Sequence, residues 1–315
     1  LIPPDFLERL KSIVPSPEFE SVIRSFSSPE ILSIRVNPLK DAAREVFSRL
    51  EMEGALLGPV AWCPDAYIVN GTSREVLSHH PLADEGKIYQ QALSSMIPAV
   101  VLGAKPGERV LDACAAPGSK TTQIAGMMRN EGTVVAIEAV KGRFFRLKSV
   151  CQLLGATAVM CKLCDARRFK PSDGVLFDRV LVDAPCSSEG RFRADDPDSV
   201  AYWSPRKIKE MSYKQKGILL SASRLVKPSG VLVYATCTFA PEENEEVVDW
   251  FLRKSEGLFE VEDAGVEGVP RLPCLTGWGK GVYDEGVMKC LRVKPDQTYT
   301  GFFVAKFKKK AAGQG

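Results

Sequence analysis

Arg109-Val110-Leu111-Asp112-Ala113-Cys114-Ala115-Ala116-Pro117-Gly118-Ser119-Lys120 decides the fold. Its first four residues read as a short strand, the small residues after them as a tight turn, and residues 119–128 as a helix. Gly118 permits the turn, and its small neighbours let backbone donors approach a polar ligand. The loop has neither the three glycines of a dinucleotide site nor a Walker phosphate loop, so it points away from a pyrophosphate cradle.

The same alternation continues downstream. Residues 133–137 form a second expected strand ending at Glu138, followed by a basic helix over 141–154. Segments 158–161, 175–182 and 230–235 supply three more strands. Together they predict an α/β, doubly wound Rossmann-like parallel sheet. Its crevice lies beyond the carboxyl ends of the strands, where loops carrying Gly118, Glu138, Asp165, Asp183 and Cys237 meet. Residues 301–307 are expected to close the sheet as an antiparallel strand, aided by 291–294.

Upstream, residues 6–10 and 18–26 read as short helices, 31–36 and 66–69 as strands, and 41–52 as a helix. The expected division is a small N-terminal α+β module over 1–72, then a connecting helical region over 73–104 with a helix at 88–101. The main domain follows over 105–310, with a flexible tail over 311–315.

A chain of 315 residues with 45% hydrophobic content can bury a core for one catalytic domain and a smaller appendage. It has no long apolar run or secretory pattern, so no membrane association is expected. The chain opens on Leu1, which places the expected natural start upstream. A net charge of +3 says little about partners, so local charge matters more. One basic helix carries Lys141, Arg143, Arg146 and Lys148; another carries Arg206, Lys207, Lys209, Lys214 and Lys216. Both fit either a solvated face or phosphate contacts. Nine cysteines without disulfide or metal spacing favour reduced thiols in a cytoplasmic protein. The adjacent His79 and His80 suit a turn or surface contact, and no metal site is expected.

Glu138 is the expected ribose anchor, because a carboxylate at this strand end accepts from sugar hydroxyls. Asp165 is either an adenine-side group or a solvated turn carboxylate. Asp112 either braces the loop through backbone hydrogen bonds or pairs with Lys120. Tyr202 and Trp203 either stack on a base or pack their loop onto the sheet, packing being favoured.

The segments DACAAPGSKTT, DAPCSSEG, YWSPRKI and YATCTFAPEENEEVV carry a resemblance. The chain resembles the Sun-type family of S-adenosylmethionine-dependent RNA cytosine-5 methyltransferases, from about residue 32 through 308. The resemblance implies that Cys237 is the attacking nucleophile and Cys186 assists product release. Asp183 then contacts cytosine N3, and Lys120 either stabilises Asp183 or shapes the base pocket. The implied S-adenosylmethionine-binding set is Cys114, Ala115, Ala116, Pro117, Gly118, Ser119, Lys120, Glu138, Arg143, Asp165 and Asp183.

The chemistry suits this division. A thiolate adding at C6 makes C5 enamine-like, and removal of the C5 proton then releases the sulfur. The chain departs from the family pattern at Gln91 and Glu138, each in place of an aspartate, and at Ser188, in place of a glycine. In the family, the helix around Gln90, Gln91, Ser94 and Ser95 helps organise the cleft. The compact form resembles transfer-RNA enzymes, so tRNA is the first expected partner, ribosomal RNA the second, and the protein is expected to be a monomer. Two alternatives stand beside this one. A DNA cytosine methyltransferase would attack through Cys186; a non-catalytic RNA-binding protein would retain the fold without transfer.

Overall fold

The computed structural model describes residues 2–40, 42–171 and 174–311. Asp41, the expected start of a helix, and residues 312–315 of the expected tail lie outside the described residues.

Two short helices open the chain, α1 (Pro4–Ile13) and α2 (Ser16–Ser25), each with proline in its first turn. Phe6, Leu10 and Ile13 share one face of α1, and they pack with Val22 and Phe26 against Phe192 and Phe239. The N-terminal helices thus rest on loops that carry the site described below.

Next come β1 (Ser33–Val36), α3 (Ala43–Met52), β2 (Leu56–Pro59), β3 (Ala66–Asn70), α4 (Arg74–Ser78), α5 (Pro81–Asp84) and β4 (Ile88–Gln90). The strands form an antiparallel sheet in the order β2-β3-β1-β4, with Val46 and Leu50 of α3 buried against it. The expected single helix over 88–101 therefore divides. Residues 88–90 pair with Val36, Arg35 and Ile34 as a strand, Ala92 is extended, and α6 (Leu93–Leu102) begins only there. The backbone bonds offered by β1 decide this segment, and they extend the small sheet beyond residue 72.

The main sheet is built from β5 (Arg109–Asp112), β6 (Thr133–Glu138), β7 (Val159–Leu163), β8 (Phe177–Asp183) and β9 (Val226–Thr236). Helices α7 (Ser119–Met127), α8 (Lys141–Leu153) and α9 (Pro205–Ser223) connect them, and α10 (Glu245–Lys254) follows β9. Four further strands are β10 (Phe259–Glu262), β11 (Arg271–Leu272) and the pair β12 (Gly277–Trp278) and β13 (Gly281–Val282). The last two are β14 (Leu291–Val293) and β15 (Phe302–Lys309). Among the described residues the order is β11-β14-β15-β9-β8-β5-β6-β7, with β10 also pairing with β15. Strands β5 to β9 are parallel, and β15 continues the sheet antiparallel to β9, with β14 and β11 beyond it at the edge.

Both faces are covered, which is why Val180, Leu181 and Val182 form an unbroken, fully buried run. Helices α9 and α10 pack on one face; α6 and α7 pack on the other. The chain leaves β5 toward β6 and returns to its other side with β8. The switch point between β5 and β8 is where a doubly wound sheet opens a crevice.

Lys308 and Lys309 belong to β15, and Lys309 Nζ donates to the Val226 carbonyl at 2.7 Å. Among the described residues no helix is long and apolar enough to cross a membrane.

Candidate active site

Parallel pairing brings the two cysteines together. Asp183, the last residue of β8, lies opposite Ala235 of β9, so the loops leaving both strands emerge side by side. Cys186 and Cys237 are free thiols with their sulfurs 3.3 Å apart. Ser187 Oγ and Thr238 Oγ1 lie 2.7 Å apart, and Gly190 N donates to the Cys237 carbonyl at 2.9 Å. Buried Glu189 accepts from Trp203 Nε1, Thr238 Oγ1 and Phe239 N at 2.8, 2.9 and 3.1 Å.

The thiols are not equivalent. Hydrogen bonding from Cys186 holds Cys237 below the ordinary thiol range, and Arg191 lowers it further against the effect of burial. Cys186 is pushed up by the same hydrogen bond, then by burial and by Glu243. The two shifts run in opposite directions and make Cys237 the more acidic of the two thiols. Glu243 itself is raised to about 8, chiefly by burial. Its Oε2 accepts from Ser187 N at 3.0 Å and Gln215 Nε2 at 2.7 Å, and Gln215 also donates to the Pro185 carbonyl at 2.9 Å.

The thiols open into a cavity of about 650 Å³, within the range of small-molecule sites. Its walls bring together Cys114, Ala115, Ala116, Pro117, Ser119, Lys120, Glu138, Arg143, Asp165 and Asp183. Gly118 departs from the expected set. It lies behind the loop at φ +112, where an added Cβ would meet Leu147 and Val150 of α8 at 3.2 Å. It shapes the turn from behind because α8 crosses so close.

Lys120 Nζ lies 2.7 Å from Asp183 Oδ2 and donates to Ser95 Oγ at 2.9 Å. Asp112 accepts from the Thr121 side-chain hydroxyl at 2.7 Å, while the Lys120 ammonium meets Asp183. Burial raises Asp112 to about 6. Arg143 donates to the Ala116 carbonyl at 2.6 Å and approaches Glu138 Oε2 at 3.5 Å, while Glu138 Oε1 accepts from Val140 N at 2.7 Å. Asp165 is held by Arg167 at 2.5 Å, and that hydrogen bond lowers its pKa.

These residues fit an adenosyl group with a positively charged sulfur. Glu138 keeps acceptor capacity on Oε2 for sugar hydroxyls, small side chains line the loop, and carboxylates border the cleft. Cys114 has its thiol pushed far up by burial, which suits packing rather than reaction.

Gln91 is buried and accepts from Arg35 Nε at 2.7 Å, while Arg35 Nη2 reaches the Ser119 carbonyl and Thr122 Oγ1, both at 3.0 Å. The small sheet is thereby tied to the helix behind the cofactor loop. Trp203 packs with Phe6 and Phe192, whereas Tyr202 is exposed. His80 caps α5 and contacts Glu53 Oε2 at 2.8 Å. Lys207 and Lys216 pair with Glu210 and Glu246 at 3.2 and 2.8 Å, but Arg143 and Lys214 line the cleft.

Glu189 and Glu243, inside SSEG and APEEN, are buried although no local pattern marks either as a core residue. Sequence reading passed over Phe302, an apolar strand residue 5.5 Å beneath the Lys120 ammonium.

Two family models match the chain: 16S rRNA methyltransferase RsmB/F over residues 99–308, and the N-terminal domain of 16S rRNA methyltransferase RsmF over residues 2–92. Ribosomal RNA small subunit methyltransferase F of Escherichia coli O127:H6 is 36% identical over 98% of this chain. The alignment spans 64% of that relative's own length. A methyltransferase homolog protein from Pyrococcus horikoshii superposes with a TM-score of 0.81 at 28% identity, covering 98% of this chain and 100% of that one. NSun6 from Pyrococcus horikoshii, solved with SFG, shares the fold at a TM-score of 0.80 and 23% identity, covering 98% of each chain. The chain belongs to the RsmB/F, or Sun-type, family of S-adenosylmethionine-dependent RNA cytosine-5 methyltransferases.

Proposed function

We propose that this protein methylates C5 of a cytosine in small-subunit ribosomal RNA through a covalent bond between Cys237 and C6. The observation that carries the chemistry is the thiol pair, 3.3 Å apart, opening into the cleft beside Asp183 and Arg191. The RNA class rests on relatives named for the small ribosomal subunit. Their names support ribosomal RNA over tRNA, which the resemblance of the compact form to transfer-RNA enzymes puts first. The chain spans 64% of the curated relative's length, so compactness is no guide to substrate.

A cytosine must be unstacked to reach the cleft. The Cys237 sulfur forms a bond to C6, and the C5–C6 π electrons move into the ring. N3 takes up a proton from solvent as the ring becomes electron-rich, and the Asp183 carboxylate, held by Lys120, accepts a hydrogen bond from that N3–H and holds the base in place. S-adenosylmethionine, when bound, supplies an electrophilic methyl carbon to C5. With Cys237 bonded to carbon, its hydrogen bond no longer holds the Cys186 proton in place. Cys186 passes that proton to solvent in the cleft, its thiolate then removes the C5 proton, the electrons of the C5–H bond re-form the C5–C6 double bond, and Cys237 leaves as thiolate.

The test is transfer of labelled methyl groups to 30S subunits, 16S rRNA transcripts and tRNA transcripts, with nucleosides resolved by mass spectrometry. 5-Methylcytidine in ribosomal RNA supports the proposal. Label confined to tRNA overturns the RNA class, and label absent from every RNA, with RNA still bound, favours a non-catalytic binding protein.

A further inference from the structure

Ser188 stands between the two loops of the thiol centre. Its backbone is left-handed, at φ +61, a conformation glycine adopts at lower cost. Serine thus occupies a backbone position suited to glycine. Its hydroxyl oxygen accepts from the Cys237 thiol at 3.7 Å and lies 3.9 Å from Cys186 Sγ, where either group can donate. The nearby hydroxyls of Ser187 and Thr238 are engaged with each other at 2.7 Å, so Ser188 is the hydroxyl left to serve the sulfurs.

We propose that Ser188 is a third catalytic group: its hydroxyl accepts from the Cys237 thiol at rest and, once a sulfur has lost its proton, turns to donate a hydrogen bond to whichever sulfur carries negative charge. Before attack that sulfur is Cys237. Once Cys237 is bonded to C6, the hydroxyl turns about its own side-chain bond to Cys186, which then holds charge as the base. The hydroxyl forms and breaks no covalent bond; it lowers the cost of charge on sulfur at both ends of the reaction. This role rests on the covalent reading above.

Other groups act on the same sulfurs. Cys186, Arg191 and Asp183 bear on Cys237, and Cys237 and Glu243 bear on Cys186. All of them are unchanged in Ser188→Gly, which also suits the left-handed backbone and so separates loss of the hydroxyl from loss of the fold. Ser188→Ala removes the same oxygen while keeping Cβ.

The experiment is iodoacetamide alkylation of Cys237, mapped by peptide mass spectrometry across pH without RNA, paired with single-turnover methyl transfer. Both variants are expected to raise the apparent pKa of Cys237 by about half to one unit and to slow alkylation at pH 7 by about three- to tenfold. Methyl transfer should slow by a similar factor. An unchanged alkylation profile in Ser188→Gly, or slowing in Ser188→Ala alone, overturns the role. If the unaltered protein transfers no methyl group, the covalent reading fails instead, and the alkylation profiles still decide whether Ser188 stabilises the thiolate.

Discussion

Lys120 Nζ sits 2.7 Å from Asp183 Oδ2, tying the start of α7 to the end of the strand that leads to Cys186. Lys120→Met removes this cation and leaves the carboxyl without its partner. Single-turnover methyl transfer should fall about 100-fold, the scale of a misplaced proton-transfer group. Cofactor affinity, measured by calorimetry, should change much less than the transfer rate. A variant that keeps its rate and loses only cofactor affinity would assign Lys120 to the cofactor alone.

The thiol centre sets a pH dependence. Cys237 is lowered from 9.0 to about 7, mainly by its hydrogen bond with Cys186, so its reactive thiolate grows as pH rises through that value. Single-turnover rates should increase roughly tenfold per pH unit on the acid side and level off above about pH 8. Cys186→Ser weakens the hydrogen bond and should move the rise to higher pH. A midpoint that does not move would show that Cys186 does not tune its neighbour.

Glu243 links stability to pH in the opposite sense from most carboxylates. Its folded pKa, about 8, stands above the ordinary 4.5 because burial disfavours charge. Its protonated form is compatible with the fold, so its contribution is fully present below the unfolded value and is lost as pH rises through about 8. Glu243→Gln should flatten the fall in stability between roughly pH 5 and 8, as read by urea unfolding. Glu243→Ala should cost about 1–3 kcal/mol by orphaning Ser187 N and Gln215.

Gly118→Ala places a Cβ 3.2 Å from Leu147 and Val150 on a left-handed backbone at φ +112. Two costs act together, backbone strain and crowding of α8. Thermal unfolding should show a loss of about 1–3 kcal/mol, and calorimetry should show weaker S-adenosylmethionine binding. Full affinity and an unchanged melting temperature would mean that the loop shifts freely and Gly118 is not required.

Much of the site was legible because each chemical group follows an apolar strand. Asp112, Glu138, Asp183 and Cys237 end or immediately follow runs that must be buried, and parallel pairing gathers those ends at one edge. Strand β4 was not legible, since Ile88-Tyr89-Gln90 is too short to show a period and takes its form from β1. The setting of Gly118 depends on how α8 crosses the loop, a tertiary fact. No local pattern marks Glu189 and Glu243 as core residues, and only the stacking of two loops shows that they are buried hydrogen-bond acceptors. The contact of Ser188 with both sulfurs depends likewise on a loop conformation that no local pattern marks.

The division of labour between the thiols is most directly tested by mapping the covalent RNA–protein adduct by mass spectrometry in unaltered, Cys237→Ala and Cys186→Ala proteins. In the unaltered protein the cytosine should be found on Cys237. Cys237→Ala should yield neither adduct nor methyl transfer, while Cys186→Ala should accumulate a methylated cytosine attached to Cys237. An adduct on Cys186 in the unaltered protein, or normal turnover by Cys237→Ala, would contradict the assignment.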